Sequence, residues 1–143
     1  MKKIIFLIFS IALAFVLFSQ DNKDIERNEI KNFASQSTKT ANDFLNNHEY
    51  DKSLDFFKKA LNFNIMVDNI PGVIKSYTDI GKVYIYKNDL DESLKNFQLA
   101  MSFASEYREY KSEKSYLLNS MGDAYYFQKK YDDAKKYYEE AFD

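Results

Sequence analysis

The sequence predicts an all-α fold, a solenoid built from antiparallel helix pairs, and two observations carry that expectation. The stretch EYDKSLDFFKKAL at 49–61 returns as DLDESLKNFQLAM at 89–101 and again as KYDDAKKYYEEAF at 130–142. The stretch upstream of it returns too: YTDIGKVY at 77–84 matches LNSMGDAY at 118–125 and, more faintly, STKTANDF at 37–44. The offsets are 40 and 41 residues, as from Ser53 to Ser93 to Ala134. Self-similarity at a fixed period marks stacked supersecondary units, each too small to bury its own apolar face alone. Two repeating halves per period make each unit a pair of helices.

The elements follow in chain order. Lys2 and Lys3 precede residues 4–18, which carry no charge, and then Ser19, Gln20 and Asp21. This is the layout of a secretory signal peptide. As a helix the apolar run reaches about 22 Å at 1.5 Å per residue, short of the roughly 30 Å hydrocarbon core of a bilayer. Export with cleavage near Gln20 is therefore expected over 1–20, the alternative being an uncleaved anchor at residues 4–18. Residues 21–33 are polar, with Ile25, Ile30 and Phe33 their strong apolar residues, and read as a disordered lead followed by an early start of the first helix.

The repeat domain then spans 34–143, with units at about 34–66, 74–106 and 115–143. Segments 62–70 and 102–112 connect the units and continue as helix for their first few residues. Pro71, in Asn69-Ile70-Pro71-Gly72, opens a helix after a break, because proline is tolerated only in the first turn. Asp51, Asp91 and Asp132 fall in the first turn of each second helix, where a carboxylate meets the positive end of the macrodipole. Gly81 and Gly122 fall inside helices, where glycine costs about 1 kcal/mol against alanine. Close approach of the paired helix is the gain expected to offset that cost. Ala60, Ala100 and Ala141 are expected to serve the same contact from the opposite side, with Phe57, Phe97 and Tyr138 one turn earlier filling the space beside them.

These residues resemble the tetratricopeptide repeat, whose first helix carries a large residue, a second large residue, Gly and Tyr in a fixed pattern, and whose second carries Tyr-xx-Ala-xxx-Phe-xx-Ala. Gly81 with Tyr84 and Gly122 with Tyr125 match the first helix; Ala41 and Phe44 stand in for them in unit one, with Thr40 in place of an apolar residue. The second-helix pattern is present in all three units, with Ser53 and Ser93 in place of the first small Ala. The resemblance covers 34–143. Its period near 40 is similar to the long variants of peptide-sensing regulators and the kinesin light chain. It implies three antiparallel helix pairs wound into a right-handed superhelix, with no cofactor.

Composition narrows the function. Removing 1–20 leaves about 123 residues, one domain, and takes the formal charge from −2 to about −4. A mildly acidic domain argues against nucleic acid or an anionic membrane as partner. The chain has no Cys, so packing alone holds the domain. The one His, His48, lies in the turn between the helices of unit one, with no convergent partners for metal or acid–base work. Nucleophilic triads lack material, and three scattered Gly build no phosphate-cradling loop. The acidic pairs Asp91/Glu92, Asp132/Asp133 and Glu139/Glu140 are helix-start charges and solvated faces, since neighbours on a helix diverge by about 100°. The sequence reads as a protein without catalytic or metal-binding residues.

A binding surface remains. In the family resembled, the first helices line a concave groove. Carried over, this places Thr38, Asn42 and Leu45 on it from unit one; Lys75, Thr78, Lys82, Ile85 and Tyr86 from unit two; and Tyr116, Asn119, Asp123, Tyr126 and Phe127 from unit three. Asn42 and Asn119 suit the main chain of an extended peptide, the lysines suit an acidic group, and Tyr86, Tyr126 and Phe127 are apolar anchors. Tyr116, Tyr126 and Phe127 stand equally as inter-repeat core. The family's two-carboxylate clamp does not carry over: of Thr38, Asn42, Asp79, Tyr116 and Ser120 at its positions, only Asn42 agrees.

At the other end, Tyr125, Tyr137, Tyr138 and Phe142 form an aromatic edge of the kind that marks association, expected to serve a homodimer or further repeats. Two functions follow: an exported scaffold binding a protein or peptide in its groove, or the N-terminal sensory domain of a larger exported or membrane-tethered signalling protein.

Overall fold

A computed structural model describes residues 2–106 and 109–142, with side chains from residue 19 onward. The side chains of the expected signal segment 4–18 thus lie outside the described residues. Six helices follow in order: α1 Lys2–Asn46, α2 Tyr50–Met66, α3 Ile70–Tyr86, α4 Leu90–Glu106, α5 Lys111–Phe127 and α6 Tyr131–Phe142. Each pairs with its neighbour, α1 with α2, α3 with α4 and α5 with α6; α2 packs on α3, α4 on α5, and α3 also on α5. The fold is the expected helical solenoid. Among the described residues no helix is long and apolar enough to cross a membrane.

The turns repeat as faithfully as the helices. His48, Asp68, Asn88 and Lys129 each adopt φ between 50 and 61°, the left-handed conformation that ends many helices. The next residue's N–H then reaches back across the last turn: Glu49 to Phe44 O at 2.9 Å, Asn69 to Asn64 O at 2.9 Å, Asp89 to Tyr84 O at 2.9 Å and Lys130 to Tyr125 O at 3.0 Å. These bonds satisfy carbonyls that a helix end leaves orphaned. At 48, 88 and 129 the left-handed residues keep the repeat spacing, so turn geometry and period are locked together. Pro71 occupies the first turn of α3 and Asp51, Asp91 and Asp132 the first turns of α2, α4 and α6, as expected.

Residues 21–33 show the expected early start of the first helix but no disordered lead before it. The helix runs through them unbroken, and Arg27 bonds the carbonyl of Val67 at the end of α2, while the rings of Phe33 and Phe63 lie 5.9 Å apart. A cation placed on the last carbonyls of another helix satisfies orphaned acceptors and opposes the dipole's negative end.

Two apolar clusters fill the solenoid. One joins Ala41, Leu54, Phe57, Leu61, Val73, Ile80 and Val83. The other joins Ile74, Ile85, Phe97, Ala100, Ala104, Leu117, Met121 and Ala124. Tyr77 and Phe103, stacked with centroids 6.1 Å apart, pack against both. Close approach does offset the helical glycines, but the contact differs from the one expected. A Cβ on Gly81 would lie 2.5 Å from Phe97 Cε1, and one on Gly122 2.5 Å from Tyr138 Cε1. The aromatic ring itself sits on the glycine. Ala60 and Ala100 are fully buried, whereas Ala141, Tyr84, Tyr125 and Tyr138 are half-buried, and Tyr125 stacks on Tyr137 at 5.1 Å.

Replacing a helical glycine by alanine gains about 1 kcal/mol where space allows. Phe97 is fully buried and cannot swing away, so Gly81→Ala should lower unfolding free energy by about 2 kcal/mol, the usual scale of overpacking. Tyr138 is half-buried and can yield, so Gly122→Ala should change stability by less than about 1 kcal/mol. Equal effects in chemical denaturation would contradict the ring-on-glycine account. Ser53 and Ser93 are fully buried with hydroxyls that bond nothing, where unit three has buried Ala134. Ser53→Ala and Ser93→Ala should each stabilise the fold by about 1 kcal/mol, because a buried unsatisfied hydroxyl carries its desolvation cost uncompensated; a lower denaturation midpoint for either variant would refute this.

Candidate functional site

The first helices of units two and three lie side by side, and a polar cluster bridges them. Asp79 on α3 is 5 % exposed. Tyr116 on α5 donates its hydroxyl to Asp79 Oδ1 at 2.6 Å, and Lys82 Nζ donates to Tyr116 Oη at 3.1 Å. Lys75 Nζ lies 3.4 Å from Asp79 Oδ2. Both ammonium groups also stand over the Tyr116 ring, at 4.8 Å for Lys75 and 5.0 Å for Lys82, within the range of cation–π attraction.

The logic is that of a buried charge. A carboxylate removed from water is costly unless hydrogen bonds and opposite charge replace its hydration. Asp79 has both, from the Tyr116 phenol on α5 and the Lys75 ammonium on its own helix. Burial, then the neighbouring Asp79 carboxylate and the bond to it, push the Tyr116 hydroxyl well above its ordinary value of 10.0. Tyr138, raised first by burial and then by its bond to Asp123, is pushed up to about 12.

The expected groove residues divide into four groups. Asn42 and Asn119 are exposed; Asn42 donates Nδ2 to Thr38 O at 3.0 Å. Tyr86, Tyr126 and Phe127 are exposed as well. Tyr86 stacks on Tyr50 at 6.2 Å, and Tyr126 meets the edges of Phe127 and Tyr131. Lys75, Lys82, Tyr116 and Asp123 are engaged with neighbours, Asp123 by the Tyr138 hydroxyl at 2.9 Å. Thr78 and Ile85 are not on the open face. Thr78 is fully buried with Oγ1 on Ile74 O at 2.8 Å, and Ile85 is 8 % exposed in the core. Ile85 lies in the apolar cluster that residues of α4 and α5 complete. Thr38 and Leu45 are half-buried. His48 is an exposed turn residue, its ring 3.2 Å from the Tyr50 hydroxyl, and no group of metal-ligating side chains gathers among the described residues.

Sequence reasoning missed the role of Asp79. The signal available was its place two residues before Gly81, where unit three has Ser120, itself 2 % exposed.

Repeat and helix pairing agree with what known families show. The model of the tetratricopeptide repeat family matches residues 72–143. The chain belongs to the tetratricopeptide repeat family. No curated protein matches it. Tetratricopeptide domains generally bind proteins or peptides, and membership suggests a protein–protein interaction scaffold. In this tetratricopeptide protein the open first-helix face bears amides, ammonium groups and phenols, the groups that hydrogen-bond and pack against a polypeptide.

Tyr116→Phe removes a hydrogen bond to a charged, buried acceptor and should cost about 2 kcal/mol of stability. The raised phenol also fixes a sign. The fold favours the protonated hydroxyl, so its contribution is complete below pH 10 and is lost as the pH rises beyond it. Chemical denaturation of the wild type should weaken above pH 10, and the Tyr116→Phe variant should show a shallower alkaline decline. An identical slope would remove the Asp79–Tyr116 bond from the account.

Proposed function

We propose that this protein is an exported scaffold that binds a peptide or an extended protein segment along the face of its first helices. The observation that carries the reading is the composition of that face. Asn42, Asn119, Tyr86, Tyr126 and Phe127 remain exposed on α1, α3 and α5, while the apolar residues beside them are buried. Exposed amides offer both donors and acceptors to a peptide main chain, and exposed tyrosines are preferred anchors of binding energy. Export is supported by Lys2, Lys3 and the uncharged residues 4–18.

A displayed library of extended peptides, panned against the full chain, tests the groove. Selected peptides should lose about tenfold in affinity on Asn119→Ala and on Tyr126→Ala, equivalent to about 1.4 kcal/mol, with thermal stability retained. Lys58→Ala, on the exposed surface of α2, should leave affinity unchanged. Sensitivity to Lys58 alone would move the site to the second helices. For export, the intact mass of the native protein in each fraction of its source cells should begin near Gln20; a species retaining residues 4–18 in the membrane fraction would replace cleavage by anchoring.

A further inference from the structure

The joint between units one and two holds a polar hollow. It encloses about 200 Å³ between α1, the end of α2 and the start of α3, and its lining includes Lys31, Asn64, Asn69, Gly72, Lys75 and Ser76, with no acid. Asn64 and Ser76 are buried, at 5 % and 3 % exposure. At the repeat spacing, Asn64, Asn69 and Ser76 correspond to Ala104, Tyr110 and Leu117. Those three form or pack against apolar core. The fold therefore accepts apolar residues at these places, and buried polar groups there cost stability without a structural need.

The polar groups are arranged as donors. Asn69 Nδ2 donates to Asn64 Oδ1 at 2.7 Å, and Asn64 Nδ2 donates to Ser76 Oγ at 3.1 Å. The chain of bonds ends on a hydroxyl used as acceptor, which leaves its own hydrogen to give. Asn69 keeps its second amide hydrogen. Gly72 makes the arrangement possible, because a Cβ there would fall 2.3 Å from Asn64 Oδ1 and 2.4 Å from Asn69 Nδ2. Lys31 and Lys75 complete the lining, the Lys75 ammonium lying 3.4 Å from Asp79 Oδ2. A pocket of spare donors and positive charge, free of carboxylates, suits an acceptor-only group with two oxygens.

We infer that this hollow binds a carboxylate, supplied by an acidic side chain of the peptide held on the first-helix face. The inference rests on the proposed function for the source of the carboxylate, and on the hollow alone for its chemistry. Ser76 and Asn69 donate to the two oxygens and Lys31 supplies the opposite charge.

The test is a titration of the isotope-labelled full chain with a capped tripeptide carrying one aspartate, followed by NMR. The aspartate peptide should shift the side-chain amide signals of Asn64 and Asn69 and the backbone amide of Gly72. The matching asparagine peptide should leave them in place. Ser76→Ala and Lys31→Ala, with unchanged thermal stability, should each weaken the response about tenfold. Equal response to the asparagine peptide, shifts confined to other residues, or indifference to both substitutions would overturn the assignment. Library-selected peptides that bind through Asn119 yet ignore Ser76 and Lys31 would likewise overturn it while the groove survives. An aspartate response in the hollow with no groove peptide selected would uphold the carboxylate site and remove the groove.

Discussion

Everything in this solenoid depends on an aromatic ring seated on a residue without a side chain. Phe97 covers Gly81 and Tyr138 covers Gly122, each at a distance that a Cβ would violate. The contact draws the two helices of a unit together, fixes their register and turns the remaining faces outward. A glycine in mid-helix loses about 1 kcal/mol of propensity, and a fully buried phenylalanine recovers more than that from the area it removes from water. Unit one has Ala41 and Phe57 at the corresponding positions, both fully buried in one cluster. Because each pair is closed in this way, the outer faces of the first helices are left free for other work.

The second constraint links units to one another. A helix pair contacts only its neighbours, so stability along a solenoid is a sum of local interfaces. Apolar packing supplies most of it, through Tyr77 and Phe103 between the clusters. The Asp79–Tyr116 bond adds direction, because a 2.6 Å bond from a phenol to a buried carboxylate has one satisfactory geometry. It ties α3 to α5 across the floor of the open face. Lys75 and Lys82 then stand above it, their charges partly answered and their stems laid on the ring. The candidate groove is thus built on a rigid floor between units two and three.

Much of this was readable in the sequence where the information is local or periodic. Helix pairing, the helix start at Pro71 and the reason for Gly81 and Gly122 follow from spacing and residue type. What escaped is tertiary. The anchoring of residues 21–33 depends on Arg27 meeting a carbonyl 40 residues away, and their polarity alone reads as disorder. Burial of Asp79 depends on a tyrosine 37 residues away, while an aspartate by itself reads as solvated. The left-handed turns at His48 and Lys129 carry no glycine signal; their repeat spacing was the only trace. Thr78 and Ile85 were expected on the groove because the resemblance maps positions, whereas their burial is set by tertiary packing that no position map contains.

An internally repeated chain offers a comparison with itself. Where the units agree and the residue is buried, as with Phe57 and Phe97 or Ala60 and Ala100, packing explains the choice. Where they disagree and the apolar sibling shows that packing would be content, another explanation is required. Asn64 against Ala104 and Ser76 against Leu117 are such cases, and both lie in the same hollow. Ser53 and Ser93 are not, because their buried hydroxyls bond nothing and unit three has buried Ala134 in their place. The distinction is physical: a buried polar group that ends in a spare donor beside open volume has something to bind, and one sealed in apolar contact does not. By that measure the chemistry of this scaffold is concentrated at the first inter-unit joint and on the α3–α5 floor beside it, with Lys75 common to both.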